Sequence, residues 1–364
     1  MPLFSPPPFQ PLLLVTSAVP TLYYADLSRT STNYFLITEA VPFSPKNSAT
    51  GARTRIHWRD YPPKALLPKT GKYQDDLLCD AHLYYRALFR AMGRMAAADK
   101  AGVFDAHISV FASANAFPRP QRDTQRRRDM LGRRAEAAAD VMIAFVTKAR
   151  RLFSPPTSDP AWLATFRQQL VACARYSTAV QNHLSSRADL FALSHVNLQI
   201  DNAFFWREDE TSDELECGLL DWYNLSRAPS VSVWHGCLSG CEPEVLTEHG
   251  LSMMRAFAAE LCKYGGTAVD PAELLRLYQL AFPASLITSL LGSEAEAMAA
   301  EEPAEEEWAD IGSVWDERIM GRWNVRCRVV ALMQSVRYWA SADIHKIVMD
   351  WVKTQPGIDD VPAE

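Results

Sequence analysis

Between Ser194 and Trp222 the chain reads SHVNLQIDN, then AFFWR, the acidic stretch EDETSDEL, and ECGLLDW. The runs at 203–207 and 216–222 are apolar and aromatic and read as two strands, with the acidic stretch as the hairpin turn between them. A hairpin returns the chain to its starting end. The polar loop at 194–202 and the pair Asp221-Trp222 therefore meet there. That places the amides of Asn197 and Asn202 beside the carboxylate of Asp221. Such an oxygen-rich group suits Mg²⁺ carrying phosphate ligands. Phosphoryl transfer asks for those parts: a metal, positioning, and a residue that orients the acceptor hydroxyl.

The surrounding sequence predicts mostly helix. Residues 33–39 (NYFLITE) are aromatic and β-branched and read as a buried strand. Residues 42–72 lack periodicity and read as a long loop. Leu78, Ala81, Tyr85, Leu88, Met92 and Met95 step by 3 and 4, which marks one face of a helix over 76–101, stopped by Gly102. A further stripe of Leu163, Phe166, Leu170, Cys173, Ser177, Val180 and Leu184 predicts a core-facing helix from Pro160. Residues 190–193 (LFAL) read as an apolar approach to the polar loop. After Trp222 the chain reads as mainly helical, interrupted at 294–310, where eight of seventeen residues are acidic and an exposed loop is expected. Residues 1–20 are Pro-rich and irregular.

Charge narrows the class. A net charge of −6 argues against a nucleic-acid binder that works by overall basicity. Seven arginines lie within 119–134, but a solvated helix start accounts for them more simply than an anion patch. This cluster and the acidic run are complementary and leave the oligomeric state open. No apolar run reads as long enough to span a bilayer. The proline-rich start has no positive charge before Arg29, unlike a secretory signal. Seven cysteines suggest reduced thiols rather than a disulfide framework. The expectation is a soluble cytoplasmic protein with no membrane or nucleic-acid partner.

The pattern His-x-Asx-x-x-x-x-Asn, a hairpin, then Leu-Asp-Trp resembles the aminoglycoside phosphotransferase and choline kinase group, which has the protein-kinase-like fold. The resemblance spans roughly residues 20–290. It implies an α+β chain dominated by the α-rich C-terminal lobe. Residues 1–41 would be a remnant of the N-terminal lobe and hinge strand, and 42–364 the C-terminal lobe. It implies ATP and Mg²⁺ as cofactors and a small-molecule hydroxyl as acceptor. Asn202 and Asp221 match the metal-binding positions, and His195 the histidine that braces the loop. Glu39 ends the strand that runs into the hinge and would sit beside the nucleotide.

Two departures bear on activity. Asn197 stands where the family has its catalytic Asp, and a neutral amide can orient a hydroxyl but cannot take its proton. Asp201 is a candidate stand-in, although the plainer expectation is that it faces solvent. Second, the first Gly is Gly51 and the first Lys is Lys46, both after the hinge strand. The 32 residues before that strand hold neither the Gly-rich loop nor the phosphate-binding Lys. The alternative to a weakened phosphotransferase is thus a non-catalytic, pseudokinase-like binding module. Other constellations carry less. His235, Cys237 and Cys241 lack the second pair that a structural zinc site shows and read as core. Ser194, His195 and Asp221 lack a nucleophile elbow. Trp222 and Trp234 flank the loop and read first as packing.

Overall fold

The computed structural model describes residues 22–27, 34–38, 55–56, 73–78, 80–105, 125–207, 214–222, 225–291, 305–320, 322–355 and 358. The chain is α+β, mostly helical with short antiparallel strands. Strand β1 (Leu22–Leu27) pairs with β2 (Tyr34–Thr38), Leu27 opposite Tyr34. The strand expected at 33–39 is therefore present over 34–38, while Glu39 lies outside the described residues. Within the expected loop at 42–72, β3 (Arg55–Ile56) pairs with a strand far downstream. Gly51 and Lys46 are outside the described residues, as are residues 1–20.

Helix α1 (Ala81–Lys100) starts later than its apolar stripe, because residues 75–77 form a separate 3₁₀ turn. Helix α2 (Gln125–Lys148) carries Arg126, Arg133 and Arg134 exposed, as a solvated helix start requires. The helix predicted from Pro160 is two helices, α3 (Pro160–Arg175) and α4 (Ser177–Ser186), separated at Tyr176. The Asp159 side chain caps α3 by accepting from the backbone N–H of Ala161 at 2.7 Å, with Pro160 in the first turn. The stripe residues from Leu163 to Leu184 are buried apart from Ser177, so the face persists across the break.

Residues 190–195 are more ordered than their sequence suggests. Strand β4 (Phe191–His195) is buried along its length and pairs with β7 (Leu225–Pro229), a strand in the region expected to be helical. Strands β5 (Ala203–Trp206) and β6 (Glu216–Leu219) form the expected hairpin, with Ala203 opposite Leu219, and β3 adds to its outer edge.

The remaining helices are α5 (Ser230–Cys237), α6 (Pro243–Lys263), α7 (Pro271–Leu291), α8 (Glu305–Trp308), α9 (Glu317–Met320), α10 (Trp323–Ala342) and α11 (Ile344–Lys353). By length and composition α7 is apolar enough to cross a membrane, contrary to the expectation from the sequence. Here it packs as a core helix, with Leu274, Leu277, Phe282 and Leu286 buried against its neighbours. Trp308 is buried at the end of the acidic run, its ring edge-on to Phe145, so this end is docked rather than exposed.

The core is organised around α1. Tyr84 meets Phe205 edge-on, and Trp234 sits edge-on between Phe89 and Phe257. On the other side α1 approaches α6 closely at Gly93. Arg94 joins Glu216 of β6, at 2.8 Å, to Glu260 of α6, at 3.0 Å, and Arg90 adds a contact to Glu260 at 3.1 Å. Asp99, buried at the end of α1, accepts from the Leu193 backbone N–H at 2.8 Å and from Arg227 Nε at 3.1 Å. One carboxylate thus holds α1 to both β4 and β7, and fixes the strand that leads into the polar loop.

Candidate functional site

The two strand pairs deliver the loop and the Asp221 turn to the same place. His195 lies opposite Leu225 at the end of β4, and Ala203 opposite Leu219 at the start of the hairpin. The intervening backbone closes on itself, the Leu220 N–H donating to the Asn202 carbonyl at 2.8 Å. Asn202, buried, donates its side-chain Nδ2 to the Asn197 carbonyl at 2.7 Å. Its amide oxygen is the end left to accept or to coordinate.

His195 is buried and contacts the Leu220 carbonyl at 2.9 Å. A carbonyl only accepts, so Nε2 carries the hydrogen. Burial lowers the pKa of this imidazole, chiefly by penalising its charged form, although the Leu220 contact and nearby Asp221 oppose the shift. The ring is a neutral brace, and Trp222 covers it edge-on at 5.4 Å. Ser194 Oγ turns back to the Ala192 carbonyl, so Ser194, His195 and Asp221 form no relay.

Asp221 is exposed and has φ of 54°, a left-handed backbone that costs a non-glycine residue free energy. The Leu220 hydrogen bonds on its preceding residue hold that conformation. Asn202 and Asp221 therefore stand on bonded neighbouring segments as two oxygen donors. Among the described residues no group of three or more His, Cys, Asp or Glu side chains could hold a metal ion. The pair fits Mg²⁺ that arrives with phosphate oxygens, since Mg²⁺ needs few protein ligands and completes its shell from phosphate and water.

Asn197 opens into a cavity of about 210 Å³. Its walls come from the loop (Asn197, Gln199), from α5 and the turn after it (His235, Gly236, Ser239), and from α2, α7 and α10. Tyr73 completes the wall. An ordered chain of hydrogen bonds fixes this side. Gln199 Nε2 donates to the Tyr73 hydroxyl at 2.6 Å, Tyr73 contacts Ser239 Oγ at 2.9 Å, and Ser239 donates to the Gly236 carbonyl at 2.8 Å. Gly236 itself is required by proximity. A Cβ there would stand 2.7 Å from the Val196 carbonyl, so α5 passes directly against the loop.

Asp201 does not line this cavity. It is half-buried on the side of Tyr73 and Asp75, whose pKa values are raised first by burial and further by the Asp201 charge, and does not simply face solvent as expected. His235 reaches Ser289 at 3.3 Å, while Cys237 and Cys241 are buried free thiols, in keeping with a core role. Trp234 is core, and neither it nor Trp222 lines the cavity.

Behind the loop, burial pushes the Asp75 carboxyl up to about 7. The Tyr85 hydroxyl, donating at 2.5 Å, opposes the rise; Asp201 and Asp76 add to it, and Arg326 opposes it weakly. An unfolded aspartate releases its proton near pH 4. Between about pH 4 and about pH 7 the folded chain therefore binds more protons, and stability falls as pH rises through that window. Asp75→Asn removes the titrating group. Its melting temperature is expected to vary less across this window than that of the wild type, and parallel profiles would assign the slope elsewhere.

The sequence pointed to Asn197, His195, Asn202, Asp221 and Glu39: hydrogen bonds tie Asn202 to Asn197 and to Leu220 and His195 to Leu220, Asp221 follows Leu220 in the chain, and Glu39 lies outside the described residues. The sequence did not point to Asp99, Gln199, Gly236 or Arg328, the last of which lines the cavity from α10. No family model, curated protein or solved structure matches the chain.

Proposed function

We propose that the chain is a kinase-like phosphotransferase, similar to the aminoglycoside and choline kinase group, that binds Mg²⁺ and ATP and transfers phosphate slowly to a small-molecule hydroxyl. The observation that supports this reading is the lock between Asn202, Asn197 and Leu220, which ties the segments carrying the two oxygen donors to a residue, Asn197, that lines a cavity. Asn202 and Asp221 would hold Mg²⁺, which when bound would neutralise charge on the transferred phosphoryl group. Asn197 presents its amide to the acceptor hydroxyl and orients it. His195, neutral and pinned to Leu220, keeps the loop in register. Without a carboxylate at 197 the hydroxyl proton has no base there, and transfer is expected to lose about 10²–10⁴-fold. That same substitution favours a second reading, a pseudokinase-like module that binds nucleotide or acceptor without turnover.

A thermal melt of the full chain tests the first requirement. At about 100 times its Kd, MgATP is expected to add about 2.7 kcal/mol and raise the midpoint by several degrees. Mg²⁺ alone is expected to give no shift, because two protein oxygens do not complete its shell. Asp221→Ala should abolish the MgATP shift. A well-folded wild type that ignores MgATP would rule out the phosphotransferase reading.

A further inference from the structure

Helix α10 presents Arg328, Ala331, Leu332 and Ser335 to the cavity, spaced as one helix face. Arg328 is the only lining residue among those described that carries a formal charge at neutral pH. Burial takes the other basic group, His235, down to about 4 and keeps it neutral. The Nη1 atom of Arg328 is fully enclosed and has no hydrogen-bond partner. An enclosed guanidinium nitrogen without an acceptor is costly. The other guanidinium nitrogens are not enclosed in this way and are the ones a ligand oxygen in the cavity would meet. Among the described residues no carboxylate lines the cavity to answer Arg328 or to hold a cationic ligand. Besides Arg328 and Asn197 the lining includes the apolar side chains of Leu286, Leu290 and Leu332.

We propose that the cavity takes a small hydroxylated anion, its carboxylate or phosphate bonded to Arg328 and its hydroxyl directed to Asn197. This deepens the phosphotransferase reading and rests on it for the role of the hydroxyl. Aminoglycosides and choline, the cations that name the resembling group, are disfavoured by the same charge.

Isothermal titration of the full chain with four probes tests the assignment: glycerate and glycerol 3-phosphate as anions, glycerol as their neutral counterpart, and choline as a cation. Both anions are expected to bind more tightly than glycerol or choline. Arg328→Gln should weaken anion binding about tenfold to a hundredfold, the range of a charged hydrogen bond. Arg328→Lys keeps the charge without the fork, so a severalfold loss is expected. That variant carries the comparison if the glutamine variant does not fold. The proposal is overturned if no anion binds, if choline or glycerol binds as tightly, or if both Arg328 variants bind as the wild type does. Melts with MgATP on the same samples separate the two claims. An MgATP shift without anion binding removes only the anionic ligand, whereas anion binding without that shift removes only the phosphotransferase.

Discussion

Gly93→Ala is expected to destabilise the chain by about 1–3 kcal/mol, the usual cost of overpacking a close contact, and to lower the melting temperature by several degrees. The added Cβ would stand 2.5 Å from the Phe257 carbonyl oxygen and 3.1 Å from Glu260 Cβ. The nearer contact is backbone, which cannot rotate away. Helix propensity alone would favour alanine by about 1 kcal/mol, so the sign is decided by the clash. Gly132→Ala in α2 provides the contrast. Among the described residues nothing lies within 4 Å of its added Cβ, and that substitution should stabilise by about 0.5–1 kcal/mol. Chemical denaturation of both variants beside the wild type measures the difference. Equal and stabilising effects would mean that α1 and α6 are further apart than described.

Asn197→Asp is expected to raise ATP turnover by about 10²–10⁴-fold if the loop is catalytically assembled. The exchange is nearly isosteric, and the bond that holds the loop uses the backbone carbonyl of residue 197, which the substitution leaves in place. Hydrolysis of MgATP serves as the readout, with water in the acceptor's position, so the acceptor need not be known. Asn197→Ala supplies the baseline. An aspartate variant no faster than the alanine variant would discard the weakened-enzyme reading and leave the binding module.

What the sequence made legible was local. The hairpin announced itself through two apolar runs around an acidic turn, and its ends bring the loop at Asn202 to Leu220, the residue before Asp221. Strand β7 was hidden because LSRAP has neither alternation nor strand-forming residues, and it exists because β4 needs a partner. Strand β4 itself, a continuous apolar run, could not be told from a helix or linker by periodicity. The break at Tyr176 left the apolar stripe intact, so the pattern gave no sign of it. The cavity was beyond reach for a different reason. Asn197, His235 and Arg328 line one cavity across more than a hundred positions of chain, and no spacing rule connects them. Gly93 and Gly236 likewise matter through what faces them.

The loop and the cavity beside it belong to different stages in the life of the polypeptide. The bond from His195 to Leu220 closes over 25 positions, so the loop and its hairpin are formed from neighbouring sequence. The cavity joins Tyr73 to Ser335, and one wall is α10. On the ribosome, the segments that position Asn202 and Asp221 emerge well before the helix that walls their neighbour. A nascent chain whose α10 is still held in the exit tunnel would already carry the loop segment but have an open trough for a pocket, with the apolar faces of α7 and α2 awaiting α10.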